Sequence, residues 1–343
     1  MARLFSPVRL VAAGLVLLAV AAVLYIAPSD EYIFLPDRAL PVAPFVTVKG
    51  ERRDRDGGGI YYVAVDVRKA SLLEKLFHGL HEGSTLVPSS EVRAPGETEK
   101  ARRQGELHQM AQSQEVASAV ALRALGRHVV VRSRGTTLAA VALDGPSAGK
   151  LEPNDIVVSV DGRRAAFPAD LRRLIQKHRP GESVQLTIRR GDQLRKVAVQ
   201  TIADPADRRR PIIGVFPDCA LQNSAQIDLP LPVHIDLGQV GGPSAGLAFA
   251  LDLVEELGRD VDHGHKVAAT GELCLDGTVG PVGGLKQKTI GAKRAGVDVF
   301  LVPAGENADE ARRYAGGMRV VPVESFRQAL RALATLPPKG QET

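Results

Sequence analysis

Tryptophan is absent from this chain of 343 residues and aromatic residues make up only 4% of it, so its core must be built from aliphatic side chains. Only two cysteines occur, Cys219 and Cys274, too few for a disulfide framework or a cysteine-ligated metal site; whether they pair stays open. No Gly-x-x-x-x-Gly-Lys-[Ser/Thr] segment is present, which excludes the phosphate-binding loop of an ATP-driven motor from this chain. Stacking aromatics are not interleaved with the basic residues, and no DNA- or RNA-binding signature appears, so nucleic acid is excluded as a partner. Neither a metal nor a cofactor is implied.

What is present starts with charge and length. The net charge is +5, with arginines crowded between Arg123 and Arg210. That crowding reads as a solvated face, or as contact with anionic lipid or an envelope polymer. A chain this long suggests two or three domains. Residues 10–27 carry no charge and at about 1.5 Å per residue reach roughly 27 Å, enough for a transmembrane helix with membrane lipid as partner. Arg3 and Arg9 precede the run, while Asp30, Glu31 and Asp37 follow it. The positive-inside rule then makes 1–9 a cytoplasmic tail and places the rest outside the cytoplasmic membrane. A cleaved signal peptide is the competing reading, which Pro28 disfavours by following the small-residue site at Ala27. An uncleaved signal anchor over 10–27 is therefore expected.

The membrane-proximal region, 28–126, gives weaker signals. Residues 32–35 and 60–67 alternate as strands, 52–59 forms a charged, glycine-rich hairpin tip, and 70–77 is a helix. A longer helical pattern ends near Leu125, with Gly126 as its cap. No chemistry is legible there, and a spacer or scaffold is expected.

The pentapeptide Gly-Pro-Ser-Ala-Gly occurs twice, at 145–149 and at 242–246. Only the second copy is followed by Thr270-Gly271-Glu272 and then Gly283-Gly284-Leu285-Lys286-Gln287-Lys288. A serine hydroxyl needs a base to become a nucleophile, and a buried neutral lysine can serve without a histidine. Taken alone, Ser244 would be the N-cap of the apolar helix expected over 245–257 more often than a nucleophile. The same helix N-terminus would also offer backbone N–H groups to an oxyanion.

Two resemblances follow from the motifs. Over 127–203 strand-like segments, the turn containing Ser147, Leu151-Glu152-Pro153-Asn154-Asp155 and Val160-Asp161-Gly162 resemble a PDZ domain of the kind attached to bacterial proteases. Asn154 replaces the usual glycine of that element, a substitution left-handed backbone angles tolerate. The resemblance makes Ser147 a turn residue and implies that an extended peptide adds to a sheet edge. That edge is expected within 133–138, at Ser133, Gly135, Thr136 and Leu138. Residues 204–211 read as an exposed linker.

The order strand, Gly-Pro-Ser-Ala-Gly, helix, Thr-Gly-Glu, Gly-Gly-Leu-Lys-x-Lys helix, strand resembles the proteolytic domain of Lon proteases, here over 212–337 with a tail at 338–343. By that resemblance Ser244 is the nucleophile, Lys288 the general base and Thr270 an orienter of the lysine amine, with Gly242, Pro243 and Ala245 shaping the turn. Lys286 is expected on the solvent side. Gly241 stands where many such domains carry an acid. Anchor, PDZ and peptidase together resemble the membrane-anchored PDZ-containing Lon-like proteases of bacteria. The expected fold class is accordingly multidomain α+β: a transmembrane helix, a membrane-proximal α/β region, a PDZ domain and a Lon-type α/β peptidase domain. The resemblance implies an ATP-independent serine endopeptidase acting on flexible protein or peptide substrates outside the cytoplasm, assembled as homo-oligomeric rings, often hexamers. An inactive PDZ scaffold is the alternative, against which the intact Ser244, Thr270 and Lys288 argue.

Overall fold

A mostly parallel sheet forms the centre of the molecule, in the strand order β2 (Leu40–Pro41), β4 (Gly59–Tyr62), β18 (Lys266–Ala269), β21 (Val299–Pro303) and β22 (Arg319–Val323). All five residues of β21 are buried, as expected of a parallel strand covered on both faces. The computed structural model describes residues 7–48, 57–94, 96–205, 207–219 and 225–340. Arg3, the charged part of the hairpin tip at 52–56 and the tail end at 341–343 lie outside them.

Side chains alternate across this sheet with period two, and each face has its own helices. Val267, Ala269 and Leu301 point to α4 (Glu99–Ala124), α6 (Gly246–Glu256) and α9 (Phe326–Leu333). Ala268, Phe300 and Val302 point to α7 (Leu285–Arg294) and α8 (Glu306–Ala315). Covered by α4 on one side and the sheet on the other, α6 is buried from Gly246 through Glu255. Its cap is as expected: Gly258 adopts φ +96° and donates its N–H to the Glu255 carbonyl.

The region 28–126 is part of the peptidase core, not a spacer. β4 pairs in parallel with β18, with Tyr62 opposite Ala269, and α4 packs on α6. The expected strand at 60–67 is two strands in two sheets, β4 and β5 (Val65–Ser71). The latter joins β1 (Pro28–Pro36) and β6 (Thr85–Pro88) in the order β5-β1-β6. Sequence alternation could not show this break, because both halves alternate in phase. Two short helices, α2 (Leu72–Leu76) and α3 (Ser89–Val92), complete the region, α2 with a capping box between Ser71 and Glu74. Segment β3 (Val46–Val48) pairs with β17 (Val233–Ile235), joining the two halves again.

The first helix, α1 (Pro7–Ile26), corrects the transmembrane expectation over 10–27. Among the described residues no helix is long and apolar enough to cross a membrane. The lipid-spanning anchor does not stand, and the fold is that of mixed α/β domains.

The PDZ unit is a sheet of β12 (Gln193–Gln200), β11 (Ser183–Arg190), β9 (Ile156–Val160), β8 (Thr136–Val141) and β15 (Val215–Pro217), with β10 (Arg163–Arg164) on β9. Helix α5 (Pro168–Ile175) buries Leu171, Leu174 and Ile175 against it. Asn154 has φ 71°, the left-handed conformation anticipated there. The segment read as a linker belongs to the unit: β13 (Ile202–Ala203) pairs with β14 (Pro211–Ile212), and β15 continues into the sheet beside β8. A last pair, β7 (Val130–Ser133) with β16 (Ala225–Asp228), leads back to the peptidase, whose β19 (Glu272–Leu273) and β20 (Val279–Gly280) form a hairpin at the cleft.

Candidate active site

Ser244 sits in a single 3-10 turn, Pro243–Ala245, immediately before α6. The turn is entered through Gly242 at φ 87°, ψ 158°, a conformation open to glycine. Its backbone is held on three sides. The Gly242 N–H donates to the Glu106 carbonyl of α4 at 2.8 Å, Ser113 Oγ of α4 donates to the Pro243 carbonyl at 3.0 Å, and the Gly271 N–H donates to the Ser244 carbonyl at 2.8 Å. Thr270 Oγ1, fully buried, donates to that same Ser244 oxygen at 3.1 Å. The close approach of α4 explains Gly241: a Cβ there would lie 2.7 Å from Glu106 Cβ, so the acid of many Lon domains has no room.

The N-cap reading of Ser244 fails on geometry. Gly242 caps the 3-10 turn and Ala245 caps α6, neither with a side-chain hydrogen bond, so the Ser244 hydroxyl is not spent on a helix end. Lys288 lies in the first turn of α7, entered through Gly284 at φ 72°. Only 4% exposed, it is the one buried lysine among the described residues. Burial alone pushes its pKa down to about 7, because an ammonium loses its hydration there. Lys286 behaves differently: its Nζ donates to the Ser84 carbonyl at 2.9 Å and lies over the Tyr314 ring at 5.8 Å.

Ser244, Lys288, Ala245 and Pro243 open into one cleft of about 590 Å³, walled also by Tyr62, Val65 and Met110 from the N-terminal half. The sequence reading missed these wall residues, because α/β patterning carries no sign of which distant strand joins which sheet. It also passed over Glu272, which lines the cleft as the third residue of Thr-Gly-Glu. Burial, with the Asp218 carboxylate adding to it, pushes the Glu272 pKa up to about 7. Among the described residues, one carboxylate group is compact enough to share a cation, Glu255, Asp260 and Asp262, and none of the three lines the cleft.

In the PDZ unit the four expected peptide-edge residues have other roles. Ser133 pairs with Ala225 and its Oγ donates to the Ala166 carbonyl at 2.7 Å; Thr136 Oγ1 donates to the Ala165 carbonyl at 3.0 Å. Leu138 is buried opposite Pro217 of β15, and a Cβ on Gly135 would lie 2.5 Å from the Val157 carbonyl. That edge is therefore occupied. The end strand is β15, and between it and α5 runs a groove of about 420 Å³ walled by Leu171, Ile175, Ile213 and Phe216. Ser147 is a turn residue as expected, fully buried, its Oγ donating to the Ile213 carbonyl at 2.6 Å. Cys219 and Cys274 form a disulfide.

Comparison with known proteins fits this geometry. Residues 220–335 match the Lon protease (S16) C-terminal proteolytic domain, and 123–201 match the PDZ domain. Lon protease 1 of Sorangium cellulosum is 48% identical over 80 residues, 22% of this chain and 10% of that protein. The Lon protease of Chloroflexus aggregans is 35% identical over 162 residues, 45% of this chain and 18% of that protein. The chain thus spans less than a fifth of the length of these relatives. It carries a serine peptidase domain of the Lon type together with a PDZ domain.

Proposed function

We propose that the protein is a serine endopeptidase that needs no nucleotide and cleaves flexible or unfolded protein segments with a Ser244–Lys288 dyad. The observation that carries this reading is a lysine buried without a counter-charge among the causes of its lowered pKa, opening into the same cleft as a serine that caps no helix. Neutral Lys288 takes the proton from Ser244 Oγ as that oxygen attacks the scissile carbonyl, and returns it to the leaving amine. Backbone N–H groups at the start of α6 face the developing oxyanion. Glu272 and the N-terminal wall frame the substrate backbone.

An extended peptide of the substrate docks by adding to the edge of β15, which no strand among the described residues covers, with an apolar side chain in the groove against α5. The disulfide supports work in an oxidising compartment outside the cytoplasm. Association of peptidase domains into rings follows from the Lon resemblance, and light scattering on the full chain measures it. The activity is tested with fluorescein-labelled casein: the full chain releases dye without added ATP, and Ser244→Ala and Lys288→Ala do not. Hydrolysis undiminished in Ser244→Ala would overturn the reading.

A further inference from the structure

The docking groove and the nucleophile are joined by a short path through one turn of the peptidase. β15 ends at Pro217; the N–H of Asp218 donates to the Thr137 carbonyl at 2.9 Å, and the next residue, Cys219, is bonded to Cys274. Cys274 directly follows β19, whose Glu272 lines the cleft and whose preceding residues, Thr270 and Gly271, hold the Ser244 carbonyl. The other wall of the groove is tied to the same turn. The N–H of Ala169, in the first turn of α5, donates to Asp276 Oδ2 at 3.1 Å, while Asp276 Oδ1 accepts from the Thr278 N–H at 2.8 Å.

The turn itself is stiff. Cys274 receives the Gly277 N–H at 2.8 Å and gives its own N–H to Thr278 at 2.9 Å, and Arg123 of α4 donates to the Leu275 carbonyl at 3.1 Å. Leu273, Cys274 and Leu275 are buried. A side chain wedged between β15 and α5 therefore loads this turn from both sides, through a covalent bond and through a charge-assisted hydrogen bond. A stiff element so loaded moves as a unit, and it carries Glu272 and the two donors on the Ser244 carbonyl with it.

We propose that the turn 274–278 couples the PDZ groove to the peptidase cleft, so that a peptide seated on β15 changes the reactivity of Ser244 through the Cys219–Cys274 bond and Asp276. This rests on the docking and nucleophile readings above. Binding linkage runs both ways, so a group held covalently on Ser244 also shifts peptide affinity at the groove, by a factor that need not equal the change in rate. A small dithiol, closing to its own cyclic disulfide as two electrons and two protons pass to Cys219 and Cys274, removes the covalent link and with it most of the coupling, which makes control of the peptidase by bound peptide dependent on redox state.

The test uses the full, oxidised chain and a fluorescein-labelled glycine-serine peptide ending in Ile-Val with a free carboxylate. Anisotropy gives its Kd, and mass spectrometry gives the rate of fluorophosphonate addition to Ser244 with and without saturating peptide. The expected result is a rate change of about fivefold or more in the oxidised chain. It should vanish in the Cys219→Ser, Cys274→Ser pair and shrink in Asp276→Ala, and the phosphonylated oxidised chain should bind the peptide with a changed Kd. Asp276 is exposed, so its variant keeps the fold and decides the matter even where the cysteine pair unfolds. Equal rate changes with and without both links, or none despite binding, would overturn the coupling alone. A peptide that binds Phe216→Asp as well as the parent would overturn the docking reading and the coupling with it, and an adduct anywhere but Ser244 would overturn the nucleophile reading.

Discussion

Thr270 donates its hydroxyl to the Ser244 carbonyl oxygen at 3.1 Å, joining the Gly271 N–H, which donates to it at 2.8 Å. The Lon resemblance gives Thr270 the task of orienting the lysine amine; the hydrogen bond also places it on the nucleophile's backbone. Thr270→Val should lower kcat/KM on casein about tenfold, the loss of one buried hydrogen bond of about 1–2 kcal/mol, and Thr270→Ser should restore it. The pH profile discriminates the two roles. An unchanged acid limb in Thr270→Val marks a backbone role, and a displaced limb marks contact with the Lys288 amine.

Burying Lys288 costs stability in a defined pH window. Its pKa falls from 10.5 to about 7 on folding, so between those values the unfolded chain holds a proton that the folded chain has released. Stability from this group therefore rises with pH through that window and is lowest below about pH 7. Lys288→Met should be more stable than the parent by a few kcal/mol at pH 6.5, with an advantage that shrinks by pH 9.5. Urea unfolding at the two pH values measures it, and identical curves for the two proteins would contradict the burial argument.

The N-terminal half should prove indispensable to the peptidase. A Cβ on Gly291 would lie 1.9 Å from the Asp37 carbonyl, so Gly291→Ala should separate α7 from that segment and cost more than about 2 kcal/mol. A fragment of 212–337 lacks both β4 and α4 and should not give a cooperative thermal transition. Such a transition, or a parent-like Tm in Gly291→Ala, would show that the peptidase stands without residues 28–126.

Local signals in the sequence were legible where the physics is local. Gly126 and Gly258 mark helix ends because a left-handed residue is needed there, and Asn154 tolerates φ 71° for the same reason. The motifs around Ser244 and Lys288 fall on the predicted turn and helix. What stayed hidden is long-range pairing. Nothing in Ile60-Tyr61-Tyr62 announces a partner in β18 more than two hundred positions on, and Val215-Phe216-Pro217 falls in the stretch read as peptidase until β8 is known to take it as an edge partner. The peptide edge was misplaced to 133–138 for that reason. The transmembrane reading rested on an absence of charge over 10–27, and among the described residues no helix is both long and apolar enough to cross a membrane.

Ser147 separates the two pentapeptides functionally. Its buried hydroxyl donates to the Ile213 carbonyl beneath the groove, so Ser147→Ala should cost about 1–2 kcal/mol in PDZ stability while leaving hydrolysis of short peptides within about twofold of the parent. Loss of short-peptide hydrolysis in Ser147→Ala with the fold retained would put the nucleophile in the wrong pentapeptide.

The most direct test of the dyad is the pH dependence of fluorophosphonate addition, mapped to its residue by mass spectrometry. A neutral Lys288 acting on Ser244 predicts an adduct on Ser244, a rate climbing about tenfold per pH unit up to about 7 and levelling above it, and no measurable rate in Lys288→Met. A rate that ignores pH, or an Lys288→Met chain that labels as fast as the parent, would contradict it.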